Sequence, residues 1–280
     1  MLPTQIAFPG LSRVDGSGQY THTPISSDAS SSSSPRNARP SPITILSSCS
    51  GPIDTPPSLS STLNPSTSTV QVLVRPLSHI PATSEKYISG LLHSAVLGSI
   101  RTTENPRTMI QVVVQSLTPL GGGGVASAGT KGGLGAAKEA SARWRWSYVS
   151  AMINAVTLSL LDAGSVPMRG VVCAVPVGLV DGEVTANPGY EADAKGELCG
   201  CFAYMFTEED ASGECVLSQC TGAGGDLEGF LKLGRSVGEE AARTVWREMR
   251  AGMAKKMGVD VEDEDGEEEE DDDDDAKMEI

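Results

Sequence analysis

Aromatic side chains make up only 4% of this 280-residue chain, and histidine occurs three times. So few rings leave little for the stacking platforms on which proteins lay out single-stranded bases. No apolar run approaches the roughly 18 residues needed to span a bilayer. Met1-Leu2-Pro3-Thr4-Gln5 has neither the basic nor the apolar region of a secretory leader, so an intracellular soluble protein with no membrane partner is expected. A basic excess is missing as well. Of the 36 acids and 21 Lys and Arg, 15 acids and one base fall in Asp260–Ile280, leaving a net charge of −1 on the other 259 residues. A basic nucleic-acid-binding domain would stay strongly positive without its tail, so any RNA contact has to come from local patches or partners.

Paired CxxC spacing is also absent. Cys49, Cys173, Cys199, Cys201, Cys215 and Cys220 fall in apolar, strand-like runs, which predicts reduced core residues and neither a zinc knuckle nor a redox motif.

Four segments are too polar or too small-residue-rich to form a core. Gln19–Pro40, Asp54–Thr69 and Gly121–Ala142 read as solvent-exposed insertions, and residues 259–280 as a disordered acidic tail. The remainder, within residues 1–258, is expected to be one compact domain. Pro42–Cys49 and Val70–Val74 are short and rich in β-branched residues, and read as strands ending at Gly51-Pro52 and Arg75-Pro76. After the capping signal Thr83-Ser84-Glu85, Ile88, Leu91, Leu92, Ala95, Val96 and Ile100 recur at helical spacing. Thr108–Gln115 is a further strand. Val149, Met152, Ile153, Val156, Leu160 and Leu161 predict a mostly buried helix that stops at Ala163-Gly164. An apolar strand over Gly170–Val177 follows, then antiparallel strands Cys199–Phe206 and Cys215–Thr221 around the turn Glu208–Gly213. A final helix over about 226–257 places Phe230, Leu233, Val237, Ala241, Val245 and Met249 on its predicted buried stripe. Two strand–helix–strand halves with mixed pairing give a layered α+β fold.

Three chemistries compete for these residues. Gly121–Gly124 and Gly222–Gly225 lack the spacing of phosphate-binding fingerprints, and the second reads as a strand-to-helix turn capped by Asp226. His22 lies in a low-complexity stretch, His79 in a loop and His93 on a helix's polar side, far from any nucleophile signature. Glu191, Asp193 and Glu197 could pair around a metal or a proton, yet acids in a polar loop are ordinarily solvated. No catalytic residue, metal site or cofactor is assigned.

Several local sequences occur in a telling order. They are Leu11-Ser12-Arg13-Val14-Asp15-Gly16-Ser17, Gly51-Pro52-Ile53, Val74-Arg75-Pro76, Asn105-Pro106-Arg107-Thr108-Met109-Ile110-Gln111, Asn154-Ala155 and Leu161–Gly170. In this order they resemble the RNase PH family (ribosomal protein S5 domain 2-like fold), and most of all the ring subunits of the eukaryotic RNA exosome. The resemblance implies mixed sheets packed with helices, and a place in a six-membered ring supporting 3'-to-5' RNA processing, including rRNA maturation. It implies other RNase PH-type ring subunits, RNA-binding cap subunits, single-stranded RNA and an associated hydrolytic ribonuclease as partners. It also implies nuclear, nucleolar and cytoplasmic placement. Active members carry a Thr-Arg-Thr segment whose arginine holds phosphate; the resemblance places it on Ser147-Tyr148-Val149, with Arg143 and Arg145 shifted to one side. Of an Asp-rich stretch, Asp193 remains, with Gly189 and Cys199 at the other acid positions. The chain is therefore expected to be a non-catalytic subunit, the alternatives being an active phosphate-dependent 3'-to-5' exoribonuclease and a stand-alone partner-binding protein. Arg75, Arg107 and Arg169 are the candidate RNA contacts. The tail is expected to solubilise the chain or to meet basic partners.

Overall fold

In the computed structural model, the described residues are 4–23, 42–55, 65–77, 80–118, 145–180, 182–188, 198–207, 212–222 and 227–259. The expected glycine clusters, the acidic loop with Glu191, Asp193 and Glu197, and the tail from 260 lie outside them, save for Gly222.

The chain runs β1 (Thr4–Ala7), β2 (Gly16–His22), β3 (Ile43–Asp54), β4 (Thr69–Arg75), α1 (Thr83–Leu97), β5 (Thr108–Ser116), α2 (Arg145–Ala163), β6 (Val171–Val180), β7 (Glu183–Ala186), β8 (Cys199–Phe206), β9 (Glu214–Thr221) and α3 (Leu227–Met257). Two sheets form, in the orders β1-β2-β3-β5-β4 and β7-β6-β8-β9. In the first, β4 and β5 pair in parallel, from Thr69 opposite Met109 to Arg75 opposite Gln115. A parallel pair needs a crossover, and α1 is that crossover. Alternation of buried and half-buried residues along β3 and β4 leaves one face on the core.

Between the sheets lies α2. Trp146 to Leu160 are buried without a break, because sheet one covers one side of the helix and β6 and β8 the other. Helix α3 covers the outer face of sheet two, so β8 is buried at all eight positions. The layers are thus sheet, helices α1 and α2, sheet, and α3. This is the expected layered α+β fold.

Three expectations need correction. Gln19–His22 belongs to β2, with Tyr20 and His22 in the core, so the insertion expected from residue 19 starts later. Asp54 and Thr69 likewise belong to strands. On α3 the buried stripe is Phe230, Gly234, Gly238, Ala242, Val245 and Met249, while Leu233 is 59% exposed. Gly234 and Gly238 are buried because Phe202 and Tyr204 rise from β8 to fill the space a larger residue would need. Cys49, Cys173, Cys199 and Cys201 are buried as expected, but Cys215 is exposed and Cys220 only half-buried, at the open edge of sheet two.

Candidate functional site

Strand directions sort the loops into two ends. At one end β2, β4, β5 and β6 begin, and β3, α1, α2 and α3 finish. Here four of the six motif pieces, scattered over some 150 residues of sequence, come together around Gly51. The Gly51 amide donates to Asp15 Oδ2 at 2.7 Å, and the Ser165 hydroxyl donates to the Gly51 carbonyl at 2.6 Å. The Ser17 amide donates to Asp162 Oδ2 at 2.8 Å. Asp162 sits in the last turn of α2, where the helix dipole disfavours an anion. Lys256, from the last turn of α3, compensates by pairing with it and lies 5.0 Å over the Phe8 ring.

Exposed arginines crown this end. Arg13 is on the β1–β2 loop, Arg101 and Arg107 on the loop after α1, and Arg169 on the loop after α2. The two latter loops are tied together: the Arg169 amide donates to the Ser99 carbonyl at 2.6 Å, and the Arg101 amide to the Pro167 carbonyl at 2.9 Å. Arg101 also meets Glu104 at 3.3 Å. Arg107 stands at φ +61°, a conformation few side chains adopt, which turns the chain into β5. The fold therefore brings Arg107 and Arg169 to one end and leaves Arg75, at the finish of β4, at the other. Arg13 and Arg101 complete the cluster, and sequence reasoning missed them because neither stands out until the loops are assembled.

The opposite end holds Tyr148, in the first turn of α2. Its side chain is 2% exposed, its hydroxyl donates to the Thr118 carbonyl at 2.5 Å, and it lies 3.2 Å from Ser116 Oγ. Burial raises its pKa, so the phenol stays neutral. Arg143 and the side chain of Arg145 lie outside the described residues. Further along α2, Asn154 clamps β6: its amide donates to the Ala174 carbonyl at 2.9 Å and its Oδ1 accepts from the Ala174 amide at 2.7 Å.

His22 is not the loop residue the sequence suggested. With Tyr20, Ser150 and Asn187 it lines a cavity of about 10 Å³, and among the described residues neither its Nε2 nor the Asn187 amide group meets hydrogen-bond geometry with a protein atom. Burial pulls the imidazole down to about 4, with the Asn187 side chain opposing in part. A buried neutral histidine favours the fold fully above the unfolded value of about 6.5, and that advantage fades as pH falls from there toward 4. His22→Gln is expected to flatten this acid limb. Urea unfolding at pH 7 and pH 4.5 checks it: the wild type should lose about 2 kcal/mol more than the variant over that interval. The half-buried Glu248, whose pKa is raised by burial, acts in both proteins alike and cancels in the difference.

Among the described residues no group of three His, Cys, Asp or Glu side chains could hold a metal ion, and no helix is long and apolar enough to cross a membrane.

One mixed and one antiparallel sheet enclosing α2, with α3 as outer cover, define a chain of the RNase PH-like α+β fold. Residues 41–165 match the family described as the 3' exoribonuclease family, domain 1 (RNase PH). The chain is 30% identical over 175 residues to the exosome complex component Rrp41 of Methanopyrus kandleri, a match covering 62% of this chain and 59% of that protein's length. Among solved structures, rice (Oryza sativa) Rrp46 superposes with a TM-score of 0.64 at 16% identity, covering 89% of this chain and 94% of that one. The Archaeoglobus fulgidus exosome with RNA bound to the active site gives 0.58 at 11% identity, covering 88% of each chain.

Proposed function

We propose that this chain is an RNase PH-type ring subunit of an RNA exosome, of the kind of eukaryotic Rrp46, which supports assembly and guides single-stranded RNA without itself catalysing phosphorolysis. The observation that carries the non-catalytic part is Tyr148. At the position where the resemblance puts a phosphate-holding arginine stands a neutral, buried phenol whose hydroxyl is engaged by Thr118. A phosphate dianion needs charged, forked donors, and a phenol turned into the core provides none. Arg107 and Arg169, exposed at the opposite end, are the proposed RNA contacts, with Arg75 a third at the Tyr148 end. The partners would be other RNase PH-type ring subunits, RNA-binding caps and a hydrolytic ribonuclease.

One experiment tests both halves. The tagged chain is purified from its native cells at moderate salt, and the recombinant chain alone is incubated with a 5'-labelled uridine 20-mer, with and without 10 mM phosphate. Recovery of a stoichiometric set of RNase PH-type chains, with no shortening of the RNA by the isolated chain, is the expected result. Shortening that depends on phosphate would overturn the non-catalytic reading and favour the alternative, an active phosphate-dependent 3'-to-5' exoribonuclease. That alternative draws support from the 30% identity to an archaeal Rrp41.

A further inference from the structure

The last described residues before the acidic C-terminal segment lie at the arginine end. Helix α3 finishes there: Lys256 is held by Asp162 and Phe8, and the Val259 amide closes the helix by donating to the Ala254 carbonyl at 3.0 Å. Residues 260–280 therefore start beside the loops that carry Arg13, Arg101, Arg107 and Arg169, and they bring 15 acids and one base.

The local acids are mostly committed already. Asp15 accepts from Gly51, Asp162 is paired with Lys256, and Glu104 faces Arg101. That leaves Asp54, at the finish of β3, and Glu214, at the start of β9, as the remaining described carboxylates at this end, while Arg13, Arg107 and Arg169 have no ion pair among the described residues. The charges are complementary, and the reach suffices. A coil of 21 residues has a root-mean-square span of roughly 25 Å, and self-repulsion lengthens it. The five strands of sheet one cover only about 19 Å from β1 to β4.

We propose that the acidic segment 260–275 docks on this arginine end within the same chain and acts there as a built-in competitor for other polyanions. Single exposed ion pairs are weak and salt-sensitive. Tethering changes the outcome, because a short linker holds the segment at an effective concentration of about millimolar, far above that of a free ligand. Competition with RNA rests on the function proposed above; the docking itself does not.

The test uses the full-length chain in two forms: wild type, and a neutral-tail variant with every Asp and Glu of 260–275 replaced by Asn or Gln. The probe is a fluorescein-labelled synthetic peptide of residues 260–280, followed by anisotropy in 50 mM NaCl. The neutral-tail chain, whose arginine end is open, should bind the peptide at least tenfold more tightly than the wild type, whose end is occupied, and 500 mM NaCl should abolish the difference. Adding Arg101→Gln, Arg107→Asn and Arg169→Gln to the neutral-tail chain should remove binding; asparagine is chosen because it tolerates the positive φ of residue 107. Arg75→Gln, at the other end, should change it less than twofold. Circular dichroism of each variant excludes unfolding as the cause. Equal peptide binding by wild-type and neutral-tail chains, or binding that survives loss of the three arginines, would overturn the proposal.

A uridine 20-mer in the same assay separates the two readings. Peptide docking without RNA binding would leave the docking standing and remove the RNA role. RNA binding without peptide docking would do the reverse.

Discussion

Gly16→Ala should cost about 3 kcal/mol or more of unfolding free energy, the upper range for a forced methyl in a packed interior. A Cβ on Gly16 would lie 2.3 Å from both the Ala163 amide nitrogen and the Ser159 carbonyl oxygen, and 2.7 Å from Ala163 Cα. All three are backbone atoms of α2, so no side chain can swing aside. The helix cannot retreat either, since β6 and β8 press on its far side. Gly18→Ala should behave alike, with Leu158 Cβ at 2.5 Å and the Ser159 amide nitrogen at 2.8 Å. Gly90 is the contrast. It is exposed within α1 with nothing near its missing Cβ, so Gly90→Ala should stabilise by up to about 1 kcal/mol through helix propensity. Urea midpoints at an unchanged m-value measure all three. A midpoint for Gly16→Ala equal to that of the wild type would show that β2 does not approach α2 so closely.

Asn154→Leu should lower stability by about 3 kcal/mol, and the melting temperature by roughly 10 °C for a chain of this size. The substitution keeps side-chain volume but strands two groups at once, the Ala174 amide and the Ala174 carbonyl, in a place where Asn154 is 1% and Ala174 1% exposed. Each buried orphan carries its own desolvation cost, so loss of the pair exceeds that of an ordinary hydrogen bond. Calorimetry of variant and wild type decides the point. A drop below about 3 °C would mean that Ala174 finds other partners.

These two residues show where the sequence was informative and where it was not. The Gly16-Ser17 and Asn154-Ala155 pieces carry the resemblance in one dimension, but their physical reasons, a backbone-to-backbone approach and a clamp on β6, exist only once the layers are assembled. Long elements with large apolar residues at regular spacing were legible: α2, its stop at Gly164, and the β8–β9 hairpin all lie where expected. Strand β2 is hard to read from Gln19 on because its buried residues there are a tyrosine, a threonine and a histidine, beside a serine-rich run. The stripe of α3 departs from its apolar periodicity for the converse reason. Periodicity seeks large apolar residues on the helix, whereas here Phe202 and Tyr204 bring the bulk from the sheet and the helix contributes glycines. Of the three candidate arginines, nothing in one dimension separates Arg75 from Arg107 and Arg169. The parallel pairing of β4 with β5 does that, by sending their starts to one end and their finishes to the other.

A helix with no wet face also has no independent sides. Methylene groups added toward β3 displace α2 toward β6, so residues of sheets that share no strand communicate through the thickness of this one rod. Paired substitutions on facing residues of the two sheets are thus coupled through α2, and their energies depart from simple addition as neighbours' do. The sheets behave as a single mechanical unit even though no backbone hydrogen bond of either ladder joins them.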